Sequence, residues 1–281
     1  VEAAQSSIGG KAILGGFLSS LSKELSLSFL FRHYDRDFHS LFGQAFSESS
    51  SNNINEQGIY IGFKYALNRK YQLSGYFDQF RFPWVQSRIN RPSNGYEYLV
   101  RGSYTPSKST ILYLQFRQES KARNTNQSRT VILAKQGIKN NFQISFNKKL
   151  NDRSGFKSRI QFSDYTLNDI HTKGFALVQD AHYHFGKFKL TGRVALFDTE
   201  DFENRQYVYE RDLLYTFSLP AYSGVGSRQY LLLQYKFSNF LKAWVRWSNT
   251  TFRDRDTISS GQQEIEGNRQ NDIKMQLQVS F

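Results

Sequence analysis

Alternation of apolar and polar residues constrains this chain more than anything else in it. Leu25, Leu27, Phe29 and Phe31 fall on one side of a period of two, and Glu24, Ser26, Ser28 and Arg32 on the other. Ile59, Ile61, Phe63, Tyr65 and Leu67 alternate with Tyr60, Gly62, Lys64 and Ala66 in the same way. The last nine residues, Ile273 to Phe281, repeat the pattern without a break. Successive side chains of a strand point to opposite faces, so each run predicts a strand with one oily and one wet side.

About 13 such runs, each roughly ten residues long, are clear along the chain. Short turns near 21–23, 68–70, 106–109, 151–155, 186–187 and 238–239 alternate with longer polar connections at 35–56, 82–95, 120–136, 167–173, 199–226 and 253–270. Short turns on one side and long loops on the other are the asymmetry of a transmembrane β-barrel, periplasmic and extracellular respectively. The expected fold is therefore all-β: a single antiparallel outer-membrane β-barrel domain over 1–281, of about 14 strands.

Composition agrees once a barrel is considered. A mean hydropathy of −0.58, and no stretch near the roughly 18 uncharged apolar residues of a spanning helix, exclude helical spans. They leave a barrel open, because only every second residue of its strands needs to be apolar. Seventeen Tyr, 25 Phe and 3 Trp suit aromatic girdles at two membrane interfaces. With no Cys there are no disulfides or thiolate metal sites. The net charge of +13 could suggest nucleic acid, but anionic lipopolysaccharide or an anion-attracting lumen explains it equally well. No nucleic acid is expected for a barrel.

Strand parity adds one expectation. Single-chain bacterial barrels have even strand numbers. With Phe281 at the periplasmic side, the run at 11–20 descends and an ascending strand is needed before it. Val1 to Gly9 is too short and too polar to supply that strand, so the expectation is that residues of the barrel before Val1 are missing.

Two resemblances go further than the pattern. The closing strand with its terminal Phe281 resembles the ending of bacterial outer-membrane barrels, which implies that Phe281 is a signal to the barrel-assembly machinery. Residues 194–281 carry Tyr207-Val208-Tyr209-Glu210-Arg211-Asp212-Leu213-Leu214-Tyr215, then Phe217-Ser218-Leu219-Pro220-Ala221-Tyr222 and Gly224-Val225-Gly226-Ser227-Arg228. Tyr230 to Lys236, the Asp254-Arg255-Asp256 stretch and Glu264 to Arg269 follow. This series resembles the C-terminal barrel of a Bacteroidota outer-membrane family whose longer members carry a competence-protein-like helix-hairpin-helix segment. The resemblance implies an integral outer-membrane location and no enzymatic activity. It implies outer-membrane lipid, lipopolysaccharide, the assembly machinery and other envelope proteins as partners. No cofactor is expected.

Several side chains are candidates for chemistry. Asp180, His182 and His184 stand two apart on one polar face, a spacing that can chelate zinc or copper, though an ordinary polar wall explains them as well. His33 beside Asp35 and Asp37, and His171 after Asp169, are candidates for a rim hydrolase site. Asp254-Arg255-Asp256 lacks the ligand spacing of a calcium loop.

The largest constellation is basic. Arg32, Lys64, Arg101, Arg117, Lys157, Arg159, Lys189, Arg193, Lys236, Lys242, Arg246 and Lys274 fall on lumen-facing positions, opposed by Glu24, Asp78, Glu97, Glu119 and Asp180. A ring of such charges in a water-filled pore favours anions. Inward aromatics such as Tyr60, Tyr76 and Trp244 suggest a narrow lumen instead. The aromatic segment 199–226, with Tyr207, Tyr209, Tyr215 and Tyr222, is the candidate for a loop folded into it. The expected function is a non-enzymatic barrel serving an envelope transport, secretion or biogenesis assembly. A passive channel of weak anion preference is the alternative, and a rim hydrolase the second alternative.

Overall fold

A computed structural model describes residues 1–41, 43–49, 53–87, 89–125 and 133–280, with the backbone alone for Thr125 and Leu133. The chain opens with strands Glu2–Gln5 (β1), Lys11–Ser20 (β2), Leu25–Tyr34 (β3), Glu56–Ala66 (β4) and Tyr71–Phe82 (β5). Six longer or comparable strands follow: Ser93–Ser107 (β6), Thr110–Thr125 (β7), Leu133–Lys149 (β8), Ser154–Leu167 (β9), Ile170–Phe185 (β10) and Phe188–Thr199 (β11). Two-residue strands Gln206–Tyr207 (β12) and Ala221–Tyr222 (β13) pair within the next connection. Val225–Lys236 (β14) and Leu241–Phe252 (β15) come next. Thr257–Ile258 (β16) pairs with Ile265–Glu266 (β17), and Arg269–Val279 (β18) ends the series.

Fourteen of these strands form one antiparallel sheet in chain order, β1 to β11, then β14, β15 and β18. All 13 strands expected from the alternation are among them, and the fourteenth is β1. One part of the sequence expectation needs correcting, that Val1 to Gly9 cannot supply a strand: Glu2 to Gln5 pair with Leu14 to Lys11. Four residues are too few to show an alternation, which is why the pattern missed them.

The chain divides into two compact units. One comprises Val1–Tyr104, Gln115–Asn141 and Tyr165–His171, the other Thr105–Leu114, Phe142–Asp164 and Thr172–Phe281. In the first, Phe29, Ile61, Phe77 and Tyr98 are aligned across β3, β4, β5 and β6. In the second, Tyr183, Leu190, Leu233, Val245 and Met275 are aligned across β10, β11, β14, β15 and β18.

These apolar rows are exposed or half-exposed, Ile61 to 51% and Met275 to 73%, whereas Arg32, Glu56 and Glu210 are fully buried. The usual polarity of a protein interior is inverted. An apolar face of this extent is unfavourable in water by about 25 cal/mol per Å² and is satisfied by hydrocarbon.

Two connections differ from expectation. The predicted loop at 167–173 is a two-residue turn, Asn168-Asp169, with φ of 53° and 66°. Asn and Asp tolerate this left-handed conformation, which matches the twist of a tight hairpin. The polar residues after it, His171, Thr172 and Lys173, belong to β10 and not to a loop. The predicted loop at 120–136 is also shorter, because β7 continues to Thr125 and β8 begins at Leu133.

Candidate functional site

In each unit a long connection is folded onto the polar face of the strands and held there by buried charges. In the second unit the connection is 200–224. Its first turn is sewn to the wall by amide and hydroxyl groups: Ser163 donates to Asn204 Oδ1 at 2.8 Å, and Gln206 Nε2 donates to Ser163 at 2.7 Å. Val208 and Tyr222 then pack on Ala176, Val178, Ala195 and Phe197, the small residues of β10 and β11 making room for them.

Glu210 is the pivot. It is fully buried and accepts from Arg228 Nε at 2.8 Å, Arg246 Nη2 at 2.5 Å and the Tyr222 hydroxyl at 2.9 Å. Burial opposes its charge, but the hydrogen bond and charge of Arg228, with help from Tyr222 and Arg246, hold the carboxyl below its ordinary range. Two residues on, Asp212 accepts from Lys274 at 2.8 Å and lies 3.6 Å from Arg246 Nε. Burial pushes Asp212 up, but Lys274 and the Leu213 backbone N–H outweigh it and lower its pKa. Leu213 packs with Tyr230, Leu232 and Trp244. The connection thus meets β14, β15 and β18 through one apolar and two ionic anchors.

In the first unit the corresponding connection is 35–55. Arg32 on β3 donates to Glu56 Oε1 at 2.5 Å and to both oxygens of Asp78, at 2.8 and 3.1 Å. Gly58, paired with Arg32 across the ladder, leaves the space its guanidinium fills; a Cβ there would collide with it. Glu56 in turn accepts the backbone N–H groups of Glu48 and Ser49, at 2.8 and 3.1 Å, tying the connection to the wall. Phe46 packs edge-on against Tyr60, which stacks on Tyr76, and the Tyr76 hydroxyl donates to Glu97.

Arg117 bridges Glu97 and Glu119, at 2.5 and 2.8 Å. Lys121 reaches Glu48 at 2.6 Å and Glu119 at 3.1 Å. Burial raises the pKa of Glu48 by more than Lys121 lowers it.

The basic residues singled out from the sequence therefore separate into groups. Arg32, Arg117, Arg193, Arg246 and Lys274 are in ion pairs with named carboxylates. Arg101 donates to Gln115. Lys64 and Lys236 are exposed, and Arg159 is half-buried. Of the four tyrosines, Tyr222 is buried, whereas Tyr207, Tyr209 and Tyr215 are exposed. Phe281 lies outside the described residues.

The histidine candidates are engaged locally. Asp180 is clamped by Arg193 Nε and Nη2 at 2.5 and 2.9 Å, beside the tilted pair His182 and His184. His33 Nε2 lies 3.1 Å from Asp35, whose carboxyl the Lys11 backbone N–H and His33 hold below the usual range. His171 meets Thr166 at 2.8 Å. Among the described residues no group of three or more His, Asp or Glu is placed to hold a metal ion.

Glu56, Glu210, Asp212 and Arg228 are the anchors that the alternation did not reveal. Glu56 and Arg228 sit at strand starts, where the period is short. Glu210-Arg211-Asp212 had a usable signal: three charges in the middle of an aromatic connection.

No protein-family model matches the chain, and no curated protein is similar to it in sequence. Solved structures are similar to it in fold. The ferric yersiniabactin uptake receptor FyuA from Yersinia pestis superposes with a TM-score of 0.52 at 10% identity, over 98% of this chain and 50% of that one. The unliganded ferric citrate transporter FecA gives 0.51 at 9% identity, over 89% and 43%. The siderophore receptor PirA from Acinetobacter baumannii gives 0.50 at 10% identity, over 94% and 47%. The chain thus spans half the length of these receptors or less.

The likeness, the exposed apolar rows and the sequential antiparallel sheet define an all-β fold of the integral outer-membrane β-barrel class, with 14 strands in the sheet among the described residues. Short turns and longer connections alternate along it, apart from the tight turn at Asn168-Asp169.

Proposed function

We propose that the chain is a non-enzymatic outer-membrane barrel that serves an envelope transport, secretion or biogenesis assembly, and that its 200–224 connection restricts the lumen. The observation that carries this is Glu210, a fully buried carboxylate on a connection, gripped by two arginines of the wall. Rupture of an ionic lock of this kind strands buried charge, so the connection stays on the wall it is locked to. The resemblance of residues 194–281 to the Bacteroidota barrels supports the assembly role, with lipopolysaccharide, the barrel-assembly machinery and other envelope proteins as partners.

Planar-bilayer recording tests the restriction. The intact chain is expected to pass little current, and a Glu210→Ala variant to open far more often. Steady, large conductance from the unaltered chain would favour the passive, weakly anion-selective channel, to which the many basic side chains of the second unit lend support. Native-membrane pull-down tests the assembly, and recovery of the barrel alone would count against it.

A further inference from the structure

The second unit contains a cavity of about 510 Å³ on its polar face, formed toward the short-turn ends of β9, β10 and β11 and roofed by residues 209–211. Its size is that of a small-molecule site. Its charge is one-sided: Lys149, Lys157, Arg159, Arg193 and Arg211 line it, and Asp180 is the one carboxylate among the lining residues.

Two of these cations are already committed. Lys149 also pairs with Asp152 of the exposed turn at 2.6 Å. Arg193 spends Nε and Nη2 on Asp180 and lies under the Tyr230 ring, 5.5 Å from its centroid.

Those contacts fix the Arg193 guanidinium, whose side chain is 5% exposed and which also meets the Tyr222 hydroxyl. Arg159, two strands away on β9, is half-buried. With Lys157 and Arg211 they present positive charge to the cavity that the single carboxylate Asp180 does not balance. Planar guanidinium forks suit oxyanions in particular. His182, also in the lining, adds a ring nitrogen at the margin.

We propose that this cavity binds a small solute bearing two or more anionic oxygens, with Lys157, Arg159, Arg193 and Arg211 neutralising it. Asp180 is a positioning residue that holds Arg193 in place. The site stands whether or not the barrel conducts. Its polar-face position assigns it to a dissolved solute and not to a lipid headgroup.

Calorimetric titration of the full chain in zwitterionic detergent with pyrophosphate tests this. The expected result is saturable binding at one site per chain, weakened about tenfold or more in Lys157→Gln/Arg159→Gln, which corresponds to 1.4 kcal/mol or more. Arg211→Gln, on the connection and outside the strands, is expected to weaken binding in a barrel whose folding does not depend on it. Lys64→Gln, a basic position of the first unit, should leave binding unchanged. Absence of saturable heat, equal weakening by Lys64→Gln, or binding of phosphatidylglycerol vesicles but not of pyrophosphate would each overturn the proposal.

Discussion

The two units solve one problem with opposite charges. Each folds a long connection onto its polar face, but in the first the network holds five carboxylates, Glu48, Glu56, Asp78, Glu97 and Glu119, against Arg32, Arg117 and Lys121. In the second, the connection brings the acids, Glu210 and Asp212, and the wall supplies Arg228, Arg246 and Lys274. The surplus of +13 is shared almost equally between the units, so the contrast lies in the ion-pair networks and not in the total charge.

Substituting the shared anchors should separate the units most sharply. Glu210→Ala leaves Arg228 and Arg246 buried together without their carboxylate, and arginines cannot shed their charge. A loss of roughly 3–5 kcal/mol is expected, read as a lower unfolding midpoint in detergent with proteolytic nicking within 200–224. Arg32→Leu is expected to cost less, about 3 kcal/mol, because a buried carboxylate, unlike an arginine, has an accessible neutral form. A loss equal to that of Glu210→Ala would contradict the contrast.

Leu213→Ala should follow, at about 2–3 kcal/mol for an apolar anchor against Tyr230, Leu232 and Trp244. The effect should stay local: amide exchange rises in 200–224 and not in β14 or β15. The smallest effect is the pH response of the tethers. Glu210 and Asp212 are held below their ordinary range. Their contribution is complete above about pH 4 and is lost as pH falls through their folded values. Glu48 is raised, so its contribution is complete below that range and is lost as pH rises through its folded value. Acidification from pH 7 to about 3.5 should therefore lower amide protection, relative to the intrinsic exchange rate at each pH, in 200–224 and raise it around Glu48. A shift of the same sign in both connections would erase the distinction.

Much of the sheet was legible because its signal is a period and does not depend on particular residues. Every strand of about ten residues or more showed it, and the four-residue β1 did not. Turn chemistry was harder to read: Asn168-Asp169 looked like the start of a polar loop, since nothing in its composition separates a tight turn from a long one. Of the candidate site, face could be assigned but partner could not. Arg32, Arg117, Arg193 and Arg246 were placed on the polar face by alternation alone, yet apart from Glu119 beside Arg117 their carboxylates lie 13 to 46 residues away, beyond anything local spacing records. Tyr222 was singled out with three other tyrosines, and only the small residues facing it, Ala176 and Ala195, distinguish it from them.

The Asn168-Asp169 turn has a practical consequence. A two-residue hairpin tip that already adopts left-handed backbone angles, flanked by continuous ladder, is a natural entry point for a short inserted tag. β10 runs from that tip directly to the Gly186-Lys187 turn, so tags at its two ends would be presented to opposite sides of a membrane. Labelling of intact cells would then orient the whole chain from a single strand.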